Sequence, residues 1–211
     1  MLTLMEEVLL ISLNEEKGNF SFTASTFIDY CLTGAILMEL EHLQRIRVSN
    51  KTVEVLDARP LNNQRLELAL HQMDSSERHR PPEHWVAKLR STLKGLRKSL
   101  LEEMADKALL REEEQQGFLF FTSTRYPVRD ERARKDILDR IHRVLLRGEN
   151  PDRKTAKLIG LLYASGILPY LVDKGERKEA KKSAKDITKD DILANAVKKA
   201  VQSTSTNPAF Y

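Results

Sequence analysis

The segment Phe27–Leu40, FIDYCLTGAILMEL, constrains the fold more than any other, because it is apolar on almost every face of a helix. A helix of this kind is buried by other elements on all sides, so it is predicted to lie at the centre of the molecule. Inside a helix Gly34 costs about 1 kcal/mol relative to Ala, and we therefore expect another element to pack closely there. In this setting Cys31 is expected to be a small buried hydrophobic residue and not a nucleophile.

Most of the remaining chain has helical patterns. Thr3 and Glu6 have the spacing of a capping box at the start of a first helix. Asp130–Arg147 has the periodicity of an amphipathic helix, and Ile192–Val201 predicts a last helix. The sequence therefore predicts a mostly α protein.

Two pairs of β-type runs interrupt the helices. Ile46–Val48 and Val53–Leu56 flank a polar turn, and Ala108–Glu112 and Phe118–Thr122 flank the segment Glu113–Gly117. Each pair predicts a short β-hairpin, because a short run containing apolar residues stands on each side of a polar turn.

The chain of 211 residues can form one domain or two small ones. The polar, proline-bearing segment Asp74–Pro82 is the best candidate for a linker, and Ser203–Tyr211 is expected to be frayed. A single cysteine excludes an intrachain disulfide and favours a reducing compartment. No stretch reaches the roughly 18 apolar residues of a membrane span, so any membrane contact is expected to be peripheral.

A second helical stretch begins at Trp85 and is predicted to continue without a break to about Asp106. Its apolar stripe consists of Leu89, Leu93, Leu96 and Leu100. Arg90, Lys94 and Arg97 follow the same spacing one residue later, so we expect a cationic ridge beside the stripe. Such a ridge faces either an anionic ligand or only water.

The net charge of +4 is too small to identify a partner. The segment Lys174–Lys189 concentrates cations, and such a charge run is expected to be a solvated helix or loop. The alternative is a tail that binds lipid or phosphate.

Motifs of catalysis are missing from the sequence. It has no HExxH pair, no CxxC, no GxxxxGK[ST], no GxGxxG after a strand and no GxSxG. Acidic pairs such as Glu102-Glu103 are expected to be solvated, because adjacent residues on a helix point in different directions. We therefore expect no catalysis, no metal site and no cofactor.

Several short strings resemble, in order, the signatures of the Golgi phosphoprotein 3 family. They are Thr3–Leu10, Leu32–Leu40, Leu93–Leu100 with Lys107–Leu110, Phe118–Phe121 with Pro127, and Asp152–Lys154 with Leu158-Ile159 and Ala164-Ser165. The resemblance covers about Leu2 to Val172. It implies a mostly helical single domain over residues 1–211 with one protruding β-hairpin, in a distant, prokaryotic member of the family. The basic N-terminal arm that recruits the vesicle coat is expected to be missing.

The resemblance also implies a lipid site. Members of the family are peripheral membrane proteins, and the eukaryotic ones bind phosphatidylinositol 4-phosphate on Golgi membranes and help to retain glycosyltransferases there. The family's basic pair falls on Lys94 and Arg97, whereas its Trp and Arg fall on Ala24 and Thr33. Arg90, one helical turn before Lys94, is expected to serve the anionic surface at large.

The apolar run of the second hairpin has a counterpart in the family. Phe118, Leu119, Phe120 and Phe121 fall on the hairpin that members press into the bilayer and use for self-association. The alternative is a hairpin that is buried within the domain.

The leading hypothesis is a non-catalytic adaptor, peripheral on the cytosolic face of a membrane, that binds anionic phospholipid headgroups. Its expected partners are an anionic lipid, a protein cargo and a second copy bound through the hairpin. One alternative is a winged-helix-like nucleic-acid-binding protein with the basic helix as reader and a hairpin as wing. The acids Glu112, Glu113 and Glu114 count against it, because they repel phosphate. A third hypothesis is an adaptor whose partner binds the apolar hairpin.

Overall fold

The computed structural model describes residues 2–116 and 122–205. Helices dominate the described residues, and two short antiparallel strand pairs interrupt them. In chain order the elements are α1 (Leu4–Ser12), α2 (Phe22–His42), β1 (Ile46–Val48), β2 (Val53–Val55), α3 (Gln64–Asp74), α4 (Pro82–Thr92), α5 (Leu96–Asp106), β3 (Glu113–Gln116), β4 (Thr122–Arg125), α6 (Glu131–Arg147), α7 (Arg153–Ala164), a 3₁₀ turn (Leu168–Tyr170), α8 (Arg177–Thr188) and α9 (Ile192–Ser205). The prediction of a mostly α, single helical domain with short hairpins is confirmed.

Helix α2 lies at the centre, as its all-round apolar character predicts. It packs against α1, α3, α4, α5, α7 and α9, and most of its residues from Tyr30 to Leu40 are buried. The close approach expected at Gly34 is present: an added Cβ would lie 2.4 Å from Cγ2 of Val197 and 2.9 Å from Cδ2 of Leu161. Glycine at this position therefore lets α7 and α9 reach the backbone of α2.

The Trp85–Asp106 segment forms two helices, so the prediction of one continuous helix is wrong. Helix α4 ends at Thr92, and α5 begins at Leu96 after a residue in the left-handed conformation, Gly95 with φ +81°. Glycine adopts that conformation without the penalty that a Cβ brings. The break lets α4 pack on α2 and α9 while α5 packs on α1 and α2.

The segment predicted as a linker does not separate two domains. The backbone amide of Val53 donates a hydrogen bond of 2.9 Å to the carbonyl of Arg80, which ties the end of the polar segment to β2. A single cluster of buried apolar side chains extends from α1 to α9. The described residues therefore share one hydrophobic core.

The second hairpin is shifted from its predicted position. Its strands are β3 and β4, paired from Glu113↔Arg125 to Gln116↔Thr122, so the first strand follows the predicted Ala108–Glu112. The second strand is predicted at Phe118–Thr122, of which only Thr122 lies within the described residues. The apolar residues Leu109 and Leu110 are buried in the core instead. The residues between the strands, 117–121, lie outside the described residues, and with them the expected insertion segment Phe118, Leu119, Phe120 and Phe121.

The C-terminal region is helical. The charge run forms α8, which buries Ala180, Ala184 and Thr188 and exposes its lysines, as expected for a solvated helix. Helix α9 extends beyond the predicted Val201 to Ser205, so the first residues of the segment expected to be frayed are helical; residues 206–211 lie outside the described residues. In the described part of the chain, no helix combines the length and the apolar character that crossing a membrane requires.

Candidate anion-binding cleft

A cleft of about 510 Å³ opens where the end of α4 and the start of α5 meet α2 and β4. It contains all three cations that the sequence predicts for a headgroup site. Its lining residues are Asp29, Thr33, Arg90, Leu93, Lys94, Gly95, Leu96, Arg97, Lys98, Leu101, Thr124 and Tyr126. Four cations and one carboxylate line the cleft, which gives it a formal charge of +3.

Arg90 enters the cleft from the last turn of α4. Its guanidinium carbon lies 4.6 Å from the centroid of the Tyr30 ring, a distance at which the ring attracts the cation. The Tyr30 hydroxyl lies 2.6 Å from Oγ1 of Thr204 and so links this side of the cleft to α9. The ring therefore positions Arg90 without neutralising its charge.

Lys94 lies in the link between the two helices and is exposed. Within residues 2–116 and 122–205, the structure gives its ammonium group neither an ion pair nor a hydrogen bond. An exposed lysine without a carboxylate partner keeps three donors for a ligand. Lys94 is thus the most available of the three predicted cations.

Arg97 is already engaged by an acidic side chain of the same molecule. Its Nε and Nη2 donate to the two carboxylate oxygens of Asp29 at 2.8 and 2.6 Å, and Nη2 also donates to the carbonyl of Ser25 at 2.9 Å. Its guanidinium carbon lies 5.5 Å from the ring centroid of Phe20. Lys94 and Arg97 are therefore not neighbours on one continuous helix, because the helix is broken at Gly95 between them. Lys94 precedes α5, and Arg97 faces α2.

Thr33 and Ala24 do not replace the Trp and Arg that the family resemblance implies at these positions. Ala24 is 1% exposed. Thr33 borders the cleft but is also only 1% exposed, and its hydroxyl lies 3.1 Å from the carbonyl of Val86 on α4. Both residues serve packing between helices. The cations that line the cleft therefore come from α4, α5 and the link between them.

Strand β4 forms one border of the cleft. Thr124 and Tyr126 both line it, and burial raises the pKa of Tyr126, with Glu112 and Glu102 nearby adding to the effect. The second hairpin thus begins at the rim of the cleft. The acids expected to repel nucleic acid include Glu113 and Glu114, which lie on β3 opposite Arg125 and Thr124. The winged-helix alternative gains no support, because its continuous reader helix is broken at Gly95.

Cys31 is fully buried, and burial raises the pKa of its thiol to about 12. A thiol in this state is not a nucleophile at neutral pH, so the interpretation of Cys31 as a buried hydrophobic residue is confirmed. Throughout the part of the chain that the structure describes, no group of three or more His, Cys, Asp or Glu residues is arranged to hold a metal ion.

Comparison with known proteins identifies relatives over most of the chain. A sequence model of the family described as Golgi phosphoprotein 3 (GPP34) matches residues 4–204. Vacuolar protein sorting-associated protein 74 from Eremothecium gossypii is 34% identical over 165 residues, which are 69% of this chain and 49% of that protein. The protein of the same name from Schizosaccharomyces pombe is 31% identical over 164 residues, 68% of this chain and 48% of its own length. The chain therefore spans about half the length of the curated relatives it matches.

Proposed function

The chain belongs to the Golgi phosphoprotein 3 family, and on that premise we propose that it is a non-catalytic adaptor that binds the anionic headgroups of membrane phospholipids. The headgroup phosphate lies in the cleft of Arg90, Lys94 and Arg97. The adaptor works on the cytosolic face of the membrane, and in a cell with a Golgi apparatus that membrane is the Golgi. The relatives are named as vacuolar protein sorting-associated proteins, which supports a sorting role with a protein cargo.

The single observation that supports the proposal best is the convergence of these three cations on one cleft. They come from α4, the link and α5, and the helix break at Gly95 brings them together. A phosphomonoester carries about −1.5 to −2 charges near neutral pH and three strong acceptor oxygens. A cleft with a formal charge of +3 complements that charge.

A phosphate can accept hydrogen bonds from all of the guanidinium of Arg97 only if Arg97 gives up its hydrogen bonds to Asp29. The side chains of Arg97 and Asp29 are 26% and 35% exposed. Partly exposed ion pairs of this kind contribute only about 0–1 kcal/mol. A phosphate dianion that also contacts Lys94 can therefore compete with the carboxylate. The initial contact is made by Lys94 and Arg90, and Arg97 joins afterwards.

The apolar run of the second hairpin is proposed to be a further membrane contact. Phe118, Leu119, Phe120 and Phe121 are an apolar run in the sequence between β3 and β4, and Thr124 on β4 borders the cleft. A headgroup in the cleft would therefore bring the base of the hairpin towards the bilayer. The same run is the proposed contact for a second copy of the chain.

Specificity for the 4-phosphate of phosphatidylinositol is a finer proposal. It is supported by the family membership and by Lys94 and Arg97 at the family's basic pair. Ala24 and Thr33 supply no headgroup donors, so discrimination between anionic lipids is expected to be modest. The chain is therefore expected to bind vesicles that contain phosphatidylserine too. At equal surface charge this binding should be weaker than binding to vesicles that contain phosphatidylinositol 4-phosphate.

Vesicle cosedimentation tests the proposal. The double variant Arg90→Ala/Lys94→Ala should bind anionic vesicles roughly 30-fold more weakly, because each cation near the surface contributes about 1 kcal/mol. The loss should shrink as salt is raised. The matched control is Arg47→Ala/Lys51→Ala, which removes two exposed cations from the first hairpin and should bind nearly as the unaltered chain does. Equal losses in both double variants, or none in either, would contradict the cleft as the headgroup site.

A further inference from the structure

Phe22 is the most exposed large hydrophobic side chain in the described part of the chain. It is 88% exposed, whereas Tyr170 is 58% exposed and Leu43, Leu56 and Leu68 are between 42% and 47% exposed. A single exposed apolar residue is ordinary on a soluble protein. The position of Phe22 relative to the cleft makes it informative.

Phe22 is the first residue of α2, directly after the N-cap Ser21. One face of α2 is formed by residues spaced three, four and four positions apart, namely Phe22, Ser25, Asp29 and Thr33. Asp29 and Thr33 on that face line the cleft. Phe22 lies about 10 Å along the helix axis from Asp29, at 1.5 Å per residue. The exposed ring and the cleft therefore open from the same side of α2.

Contacts around the start of α2 hold this arrangement in place. Arg97 of the cleft donates to the carbonyl of Ser25, one turn after Phe22. The hydroxyl of Tyr170 lies 3.2 Å from Oγ1 of Thr23. The exposed ring of Tyr170 thus lies at the same end of α2 as Phe22. The guanidinium carbon of Arg177 lies 5.9 Å from the centroid of the Tyr170 ring.

We propose that Phe22, with Tyr170 beside it, inserts into the interfacial layer of an anionic bilayer while the neighbouring cleft holds a lipid headgroup. The inference rests on the proposed function and adds a membrane contact formed by described residues outside the second hairpin. Aromatic rings are favoured at the boundary between headgroups and acyl chains. Charge complementarity identifies the occupant, since the cleft on the same side of α2 has a formal charge of +3 and Arg177 lies 5.9 Å from the Tyr170 ring. The acids Glu15, Glu16 and Glu131 line the neighbouring pocket that Tyr170 borders, so the favourable charge is on the cleft side of the rings.

Phe22→Ala tests the contribution of the ring to vesicle binding. Burial of a phenylalanine side chain in an apolar environment raises its partition coefficient by about tenfold or more. The Phe22→Ala variant should therefore bind anionic vesicles about tenfold more weakly. The contribution of an apolar contact is insensitive to salt, whereas that of a cation is screened. The loss in Phe22→Ala should therefore persist at high salt, while the loss in Lys94→Ala should shrink.

Phe22→Trp tests the depth of the same side chain. The native Trp85 is 3% exposed, so quenching by phospholipids brominated in their acyl chains should report on a tryptophan at position 22. The matched control is Leu43→Trp, at the opposite end of α2 and about 30 Å away along the helix. We expect strong quenching for Phe22→Trp and little for Leu43→Trp.

The outcomes separate the inference from the proposed function. If the unaltered chain binds anionic vesicles and Lys94→Ala weakens that binding, but Phe22→Trp is not quenched, the inference is overturned and the headgroup site stands. Weaker binding by Phe22→Ala without quenching of Phe22→Trp also overturns it, because the ring would then act outside the bilayer. Absence of vesicle binding by the unaltered chain overturns both.

Discussion

Under the proposed function, the carboxylate of Asp29 limits how strongly the cleft can hold an anion. It accepts two hydrogen bonds from Arg97, and it is the only carboxylate among the cleft-lining residues that the structure describes. In the state described here it keeps the guanidinium on α2. In the bound state it would repel the phosphate, so its charge opposes ligand binding.

Replacing Asp29 by Asn should therefore strengthen binding to anionic vesicles. Removing one opposing charge is worth about 1 kcal/mol near a membrane surface, or roughly fivefold in affinity. The cost to folding should stay below about 1 kcal/mol, because the pair is partly exposed. The control is Asp74→Asn, which makes the same change in net charge outside the cleft. Weaker vesicle binding by Asp29→Asn would show that Asp29 serves the ligand instead of competing with it.

The cleft also shows what the sequence could not reveal at the scale of residues. Helical spacing identified Arg90, Lys94 and Arg97 as a set, and the three do line one cleft. Asp29 was missed because it lies 68 residues from Arg97 in sequence. The one available signal was its spacing of four residues from Thr33, which places both on the same face of α2.

At the scale of elements, the break between α4 and α5 shapes the cleft. Leu89, Leu96 and Leu100 are buried as their spacing predicts, and this regular pattern conceals the interruption. A glycine within a helical pattern marks either a packing contact or a helix end. Gly34 marks a packing contact, whereas Gly95 marks a helix end. Only the tertiary contacts distinguish the two glycines.

Helix α1 is joined to α5 through the side chain of Glu6. The predicted capping box is present, since the amide of Glu6 donates to Oγ1 of Thr3 at 3.2 Å and the amide of Thr3 donates to Oε2 of Glu6 at 2.7 Å. Lys107, at the end of α5, donates to Oε1 of Glu6 at 2.6 Å. Burial raises the pKa of Glu6, but the hydrogen bonds from Lys107 and Thr3 outweigh it, and the pKa is lowered overall.

This shift predicts how the stability of the α1–α5 connection depends on pH. A carboxyl group with a lowered pKa binds fewer protons when folded than when unfolded, so its stabilisation is present above the ordinary value of 4.5 and is lost as pH falls through the lowered value. Glu6→Gln should cost about 1.5–3 kcal/mol of unfolding free energy at about pH 7. In urea titrations at a series of pH values, the difference should shrink as the pH falls below 4.5.

Glu54→Gln is the control for the pH series. Glu54 forms an exposed pair with Arg47 on the first hairpin, and such pairs contribute at most about 1 kcal/mol. Its substitution should therefore change the unfolding free energy little at any pH. A destabilisation by Glu6→Gln that stays constant or grows on acidification would contradict the assigned role of the carboxylate.

At the scale of the whole molecule, α2 connects the core to the proposed membrane surface. Its second half is buried against α7 and α9 around Gly34, and this part was predictable from the apolar sequence. Its first half carries the exposed Phe22 and, at Asp29, the inner wall of the cleft. That surface was not predictable, because it is assembled from α2, α4, α5 and β4, which are distant in sequence.

The most direct test of the headgroup site is a crystal structure of the chain with a soluble short-chain phosphatidylinositol 4-phosphate. We expect a phosphate oxygen about 2.7–2.9 Å from Nζ of Lys94 and from a guanidinium nitrogen of Arg90 or Arg97, the usual range for charge-assisted hydrogen bonds. Asp29 should have released at least one of its bonds to Arg97. A phosphate held elsewhere, for instance by the lysines of α8, with the cleft empty and the Asp29–Arg97 pair intact, would contradict the proposal.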